Sequence, residues 1–244
     1  MKVSLFVNFF VGQSFLISFI IFFSITHSLA VNYFMAKRKI VLFGGTFDPI
    51  HLGHTTVAAA AAERIGAEKI VFVPTKCSPL KDSFPEAGDD DRLKMIALAI
   101  AGNKKFELSN YELKKPEPSY TLETVRQFQA EYGSETLIYW LMGADSIDEL
   151  PRWYGIVELI GACNLCVMFR AGCNPPDFTR FTAIWGPERV EKLQRNVIQT
   201  PLIDISSTEI RNRLAAGRDV TNMLSSLVAD YIRKHNLYQS KVKP

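Results

Sequence analysis

The sequence predicts an α/β fold, an open parallel sheet flanked by helices, on three observations. Short β-rich apolar runs recur from Lys39 onward, helical patterns alternate with them, and polar landmarks fall directly behind the apolar runs. Alternation of this kind builds βαβ units and a parallel sheet. The chain has 244 residues, 48% of them apolar, enough to bury the core of one ordinary domain, which the pattern places at residues 36–240.

The strands are predicted at residues 39–43, 69–73, 136–142, 164–169 and 202–205. Each is nearly continuous in apolar residues, as strands covered on both faces should be. Helices are predicted at 52–65, 90–101 and 120–132, ending at Gly66, Gly102 and Gly133. A last helix at 225–235 carries Leu224, Leu227, Val228, Tyr231 and Ile232 on one face by their three-and-four spacing. The stretches 78–88 and 114–119, rich in Pro, Gly and charge, read as loops able to reach over a ligand. Polar segments at 44–48, 74–76, 143–145, 170 and 206–208 each follow a strand. In an open α/β sheet the crevice outside the strands' carboxyl ends binds ligands, so these segments point to one site in a Rossmann-like fold.

Charge and cysteines narrow the classes. The 28 basic and 25 acidic residues leave a net charge of +3, no basis for expecting a nucleic-acid partner, while a small anion remains open. Four cysteines in a chain of this size do not suggest a disulfide framework. Cys163-x-x-Cys166 with Cys173 nearby resembles the start of a metal site, but no fourth ligand lies close, and Cys166 sits in an apolar run. They read as buried structural thiols.

Three segments carry chemistry. In Gly44-Gly45-Thr46-Phe47-Asp48-Pro49-Ile50-His51-Leu52-Gly53-His54 a strand passes through a glycine turn into a helix start. Glycines let backbone approach a phosphate, and free N–H groups at the helix start attract anions. His51 and His54, three apart on a first turn, face the same way and can donate hydrogen bonds to a breaking phosphoanhydride. In Ile205-Ser206-Ser207-Thr208-Glu209-Ile210-Arg211 a strand ends and a helix reaching Leu214 begins. Ser206 and Glu209 fit a capping box, while the hydroxyls and Arg211 on the same turn also make a phosphate clamp. In Gly143-Ala144-Asp145-Ser146, followed by Leu150-Pro151-Arg152-Trp153, a carboxylate just past a strand could accept from ribose hydroxyls; Trp153 on its own reads as a core anchor.

The first segment resembles the G-T-F-D-P-x-H-x-G-H signature of the nucleotidyltransferase superfamily, whose HxGH motif is shared with class I aminoacyl-tRNA synthetases. The second resembles the ISSTxIR motif by which adenylyltransferases of that superfamily hold ATP phosphates. The third is similar to the GADS and tryptophan segment of bacterial nicotinate-nucleotide adenylyltransferases, in which Trp153 would lie against the pyridine ring. Further matches are Lys81 in Pro79-Leu80-Lys81, Arg92 in Asp91-Arg92-Leu93, Ser119-Tyr120-Thr121, and the closing Tyr231-Ile232 with residues 235–238. The chain departs from the pattern at Leu80, where His is common, and at Ala171, where Pro is common.

The resemblance, covering residues 39–238, implies a nucleotidyltransferase (HUP-type) fold and adenylyl transfer from ATP to nicotinate mononucleotide in NAD biosynthesis. It implies catalytic roles for His51, His54 and Arg211. ATP would be bound by these three with Gly44, Gly45, Thr46, Phe47, Gly53, Gly143, Asp145, Ser206, Ser207 and Thr208. Nicotinate mononucleotide would be bound by Tyr120, Thr121, Trp153, Lys81 and Arg170. A phosphate nucleophile is already deprotonated at neutral pH, so no general base is required, and Mg²⁺ would be held through the substrate phosphates and water without a protein metal site. Nicotinamide mononucleotide and phosphopantetheine are the alternative acceptors, and a membrane-tethered ATP-binding module is the non-catalytic alternative. A homo-oligomer is compatible with the sequence, which does not decide assembly.

Residues 1–34 differ from the rest. From Lys2 to Lys37 there is no intervening Asp, Glu, Lys or Arg. The run reads as an extension upstream of a start at Met35, outside the working enzyme. It could also be an anchor that the cluster Lys37-Arg38-Lys39 would orient towards the cytoplasm, or an export signal that would part the enzyme from its ATP. The expected location is therefore the cytoplasm, with a membrane as partner only if residues 1–34 persist as an anchor.

Overall fold

Every second residue of an extended strand points to the same face, and β1 (Lys39–Gly45) uses both faces. Val41 and Phe43 enter one hydrophobic cluster, Ile40 and Leu42 the other. This double burial is why the run is apolar without alternation. The computed structural model describes residues 37–77, 79–80, 84–116 and 118–239. After β1 come α1 (Leu52–Ile65), β2 (Lys69–Pro74), α2 (Asp89–Ile100), β3 (Phe106–Leu108), α3 (Tyr111–Lys114) and α4 (Thr121–Tyr132). The chain continues through β4 (Leu137–Gly143), a 3₁₀ segment (Ala144–Arg152), α5 (Ile156–Ala162), β5 (Asn164–Arg170), α6 (Thr182–Trp185), α7 (Pro187–Arg195), β6 (Val197–Thr200), α8 (Ser207–Ala215) and α9 (Ser226–Lys234).

Among the described residues the strands form one parallel sheet in the order β3-β2-β1-β4-β5-β6. The order reverses between β1 and β4, and a crevice opens at their carboxyl ends. The Gly44 and Gly143 segments leave the sheet there. On one face α1, α2 and α9 bury Ala58, Ala61, Met95, Ile96, Val228 and Ile232. On the other face α4, α5 and α7 bury Leu122, Val125, Phe128, Leu159, Ile160 and Leu193.

The α/β fold and parallel sheet are as the alternating pattern predicts, and α1 has the predicted bounds, closed by Gly66 at φ 69°. One strand stands elsewhere. The predicted strand at 202–205 is not in the sheet; β6 occupies Val197–Thr200 instead. The carbonyl of Thr200 accepts the last ladder bond, from Ala171 N–H at 3.0 Å, and Pro201 then has no N–H to continue it. Leu202 consequently lies in solvent, 66% exposed, while Ile203 and Ile205 turn towards the crevice.

Cys163 packs in one core cluster and Cys166 in the other, so the sheet separates their thiols and the pair cannot grip one metal ion. Burial pushes both thiols up to about 12. Residues 1–34 and Lys81 lie outside the described residues. No helix among the described residues is long and apolar enough to cross a membrane.

Candidate active site

Two cavities of about 500 Å³ each open at the β1/β4 crevice and share Phe43, Gly44, Gly45, Thr46, Thr75, Gly143 and Ser146 as their common wall. The first is lined by His51, Gly53, His54, Ser207, Thr208 and Arg211, with Asp145 at its edge. The second is lined by Ser119, Tyr120, Thr121, Arg152 and Trp153. Sequence segments far apart in the chain therefore meet along one crevice.

The histidines are ordered by the start of α1. His51 is the N-cap residue in extended conformation, and its main-chain N–H donates to His54 Nδ1 at 3.3 Å. With Nδ1 an acceptor, the proton of neutral His54 sits on Nε2, an assignment made from the hydrogen bond. The two rings stack at 3.7 Å between centroids. Gly53 permits this: a Cβ there would lie 2.9 Å from His51 Nδ1. Phe47 lines the cavity floor, its ring meeting that of His54 edge-on at 5.0 Å. Burial lowers the His51 pKa to about 4, and burial together with the neighbouring His51 lowers that of His54 well below its ordinary value. Both imidazoles are thus neutral hydrogen-bonding groups near pH 7.

The second motif is drawn onto the first by direct bonds. The Ser207 hydroxyl donates to Pro49 O at 2.9 Å, and Arg211 Nη1 donates to Asp48 O at 2.7 Å. Arg211 Nε donates to Glu86 at 2.6 Å, which leaves Nη2 for an anion in the cavity. Ser206 has a different place from its neighbours: it is the N-cap of α8, accepting from Glu209 N–H at 3.1 Å, and it does not line the cavity. The capping box is half formed, because the Glu209 carboxylate pairs with Arg213 at 2.6 Å and does not turn back to the cap.

Arg170 also departs from its expected place. It lies on the first cavity, not beside Trp153, because β5 sits beyond β4 and its end faces Asp204, 3.6 Å away. Trp153 serves both of its readings, packed on a core cluster and lining the second cavity. Tyr120 lies against Tyr154, 4.7 Å between ring centroids, on the same cavity.

A family model described as cytidylyltransferase-like matches residues 42–213. A probable nicotinate-nucleotide adenylyltransferase of Rhodopirellula baltica is 34% identical over 204 residues, 84% of this chain and 95% of that protein. One of Neisseria meningitidis serogroup B is 37% identical over 202 residues, 83% and 99% of the two chains. The chain belongs to the nicotinate-nucleotide adenylyltransferase family. Among solved structures, the Plasmodium falciparum nicotinic acid mononucleotide adenylyltransferase complexed with NaAD superposes with a TM-score of 0.64 at 22% identity. It covers 82% of this chain and 97% of its own, a likeness of fold.

Three buried charged residues around the two cavities have no role that the sequence assigns. Asp48, 4% exposed, accepts from Glu86 N–H, Ala87 N–H and the Tyr238 hydroxyl at 2.7, 3.1 and 2.7 Å. It ties the motif loop to the segment before α2 and to the chain's end. Arg92 is fully buried and donates to both Thr46 O and Thr75 O at 2.8 Å, joining the ends of β1 and β2. Glu112, 3% exposed, accepts from Thr124 at 2.7 Å beside the second cavity. Buried charges are the available signal: Arg92 sits four positions after Gly88 and Glu112 behind the short β3, places where solvated side chains are usual.

Proposed function

We propose that this chain transfers the adenylyl group of ATP to nicotinate mononucleotide, giving nicotinate adenine dinucleotide and pyrophosphate, from a single nucleotidyltransferase domain at residues 36–240. The observation that carries the reading is the pair of cavities with one common wall. A triphosphate fits the histidine and arginine side, and a flat pyridine ring fits the Trp153 side. The phosphates of both substrates would then meet at the glycine ends of β1 and β4, where backbone can approach an anion closely.

In this reading a phosphate oxygen of the mononucleotide attacks the α-phosphorus of ATP in line. The bond from that phosphorus to the αβ-bridging oxygen breaks, and pyrophosphate departs with the electron pair. His51 and His54, neutral at rest, donate hydrogen bonds to the phosphates without first giving up a proton. Arg211, the hydroxyls of Ser207 and Thr208, and the N–H groups of Gly53 at the start of α1 and of Ser207 and Thr208 at the start of α8 supply the remaining donors. Positioning accounts for the rest of the rate.

Members of this family generally use a divalent cation. Asp48, the buried carboxylate that lines the first cavity, already has its oxygens engaged by two amides and a phenol, so it is committed to holding loops together. Mg²⁺ therefore fits best as the ATP complex, ligated by phosphate and water. An ATP-consuming reaction places the enzyme in the cytoplasm.

The test incubates the full chain with ATP and Mg²⁺ and, separately, nicotinate mononucleotide, nicotinamide mononucleotide or phosphopantetheine, and measures pyrophosphate release. Robust turnover with the first alone is expected. Preference for either of the others would reassign the acceptor.

A further inference from the structure

A buried carboxylate beside the second cavity belongs to none of the three sequence motifs. Glu112 stands on α3, between β3 and the segment that opens α4. Its carboxylate accepts from the Thr124 hydroxyl at 2.7 Å and interacts with the hydroxyls of Thr75 and Ser119, though neither closes a bond of full geometry onto Oε2. Those hydroxyls come from different elements: Thr75 follows β2, Ser119 precedes α4, and Thr124 lies in the first turn of α4. Glu112, Ser119, Tyr120 and Thr121 all line the second cavity and are absent from the lining of the first.

Thr75 is where the two sides meet, since it lines both cavities. Its N–H donates to Gly45 O at 2.9 Å and its carbonyl accepts from Arg92 at 2.8 Å. Its backbone is thus fixed from the β1 side without any help from Glu112, and only its hydroxyl looks to the carboxylate. The loop before α4 is anchored more lightly, by Ser119 N–H to Cys77 O at 3.1 Å. Removing the carboxylate would loosen the loop that bears Tyr120 and Thr121 and leave the histidine and arginine side in place.

We propose that Glu112 is a positioning residue for the acceptor: by holding the Thr124 hydroxyl on the first turn of α4, beside Thr75 and Ser119, it sets the wall against which the pyridine mononucleotide docks. It touches neither ATP nor the reacting atoms. A buried carboxylate is costly unless it does something that an apolar side chain cannot, and fixing the start of α4 by a hydrogen bond is such a task. Burial also raises the pKa of Glu112 against the pull of those hydroxyls, so a neutral amide of the same shape should fit the space.

This inference rests on the acceptor reading above, and the experiment separates the two. Full-length wild type, Glu112→Gln and Thr124→Val are assayed for pyrophosphate release while ATP and nicotinate mononucleotide are varied in turn. For Thr124→Val the KM for the mononucleotide should rise about tenfold, the scale of one lost well-placed hydrogen bond. The KM for ATP and the melting temperature should hold. Glu112→Gln, whose amide oxygen can still accept from Thr124, should shift the same KM in the same direction by less. Equal changes in both KM values, or none in either variant while wild type turns over, would overturn the positioning role. Absence of wild-type turnover with nicotinate mononucleotide would instead overturn the acceptor reading.

Discussion

Two histidines at a three-residue spacing share one cavity wall with an arginine 157 positions beyond His54, and their different surroundings set what each can do. His54 has its Nδ1 occupied by the His51 N–H, so its Nε2–H is the free donor. His54→Ala should therefore retain the fold and nucleotide binding and lower kcat by on the order of a hundredfold or more, the usual loss of a charge-stabilising donor; steady-state kinetics beside an ATP-binding titration would check it. His51 makes a separate prediction about stability. Its pKa is about 4 in the folded chain against 6.5 ordinarily, so the folded state binds fewer protons between those values. Stability present above pH 6.5 is then lost as the pH falls towards 4, by about 3 kcal/mol at the lower limit. The melting temperature of wild type relative to that of His51→Gln should fall across that window as the pH drops. At this scale the sequence was most legible where chemistry is contiguous: His51, His54, Ser207 and Arg211 stand in unbroken motifs. Asp48 stands in the first motif and Arg92 in a further match, yet what they hold together, like the placement of Glu112, is not legible, because their partners lie up to 190 positions away and only the folded chain reveals that a charge is buried.

Elements were legible in proportion to how completely they are covered. β1, β2, β4 and β5 are sheathed on both sides, and their apolar runs announce them. β3 has three residues, all half-buried, too few to make a periodic signal. The sequence places the last strand one segment too late because Leu202, Ile203 and Ile205 are apolar for another reason: Ile203 and Ile205 line the first cavity. The first of the two glycines that close β1 is also a packing requirement. A Cβ on Gly44 would lie 2.3 Å from Trp140 Cζ2, on a ring that is 5% exposed and hemmed in by the core beyond β4. Gly44→Ala should thus cost about 1–3 kcal/mol in denaturant unfolding as well as activity. Unchanged unfolding would mean that Trp140 can move aside, and that the glycine is needed for phosphate approach alone.

At the scale of the whole molecule, one sheet sets two cavities side by side where its strand order reverses. The topology does most of the work: β1 and β4 are neighbours, so their glycine ends form a shared wall with one cavity on each side. The bonds from Ser207 to Pro49 O and from Arg211 to Asp48 O close the nucleotide side from the far end of the chain. The central claim is that the two cavities are halves of a single reaction site. A crystal structure of the full chain with nicotinate adenine dinucleotide tests it most directly. The account predicts the AMP half in the cavity of His51, His54 and Arg211, the pyridine against Trp153, and the linking diphosphate across Gly44 and Gly143. A dinucleotide lying wholly within one cavity, or with its diphosphate away from both glycines, would contradict it.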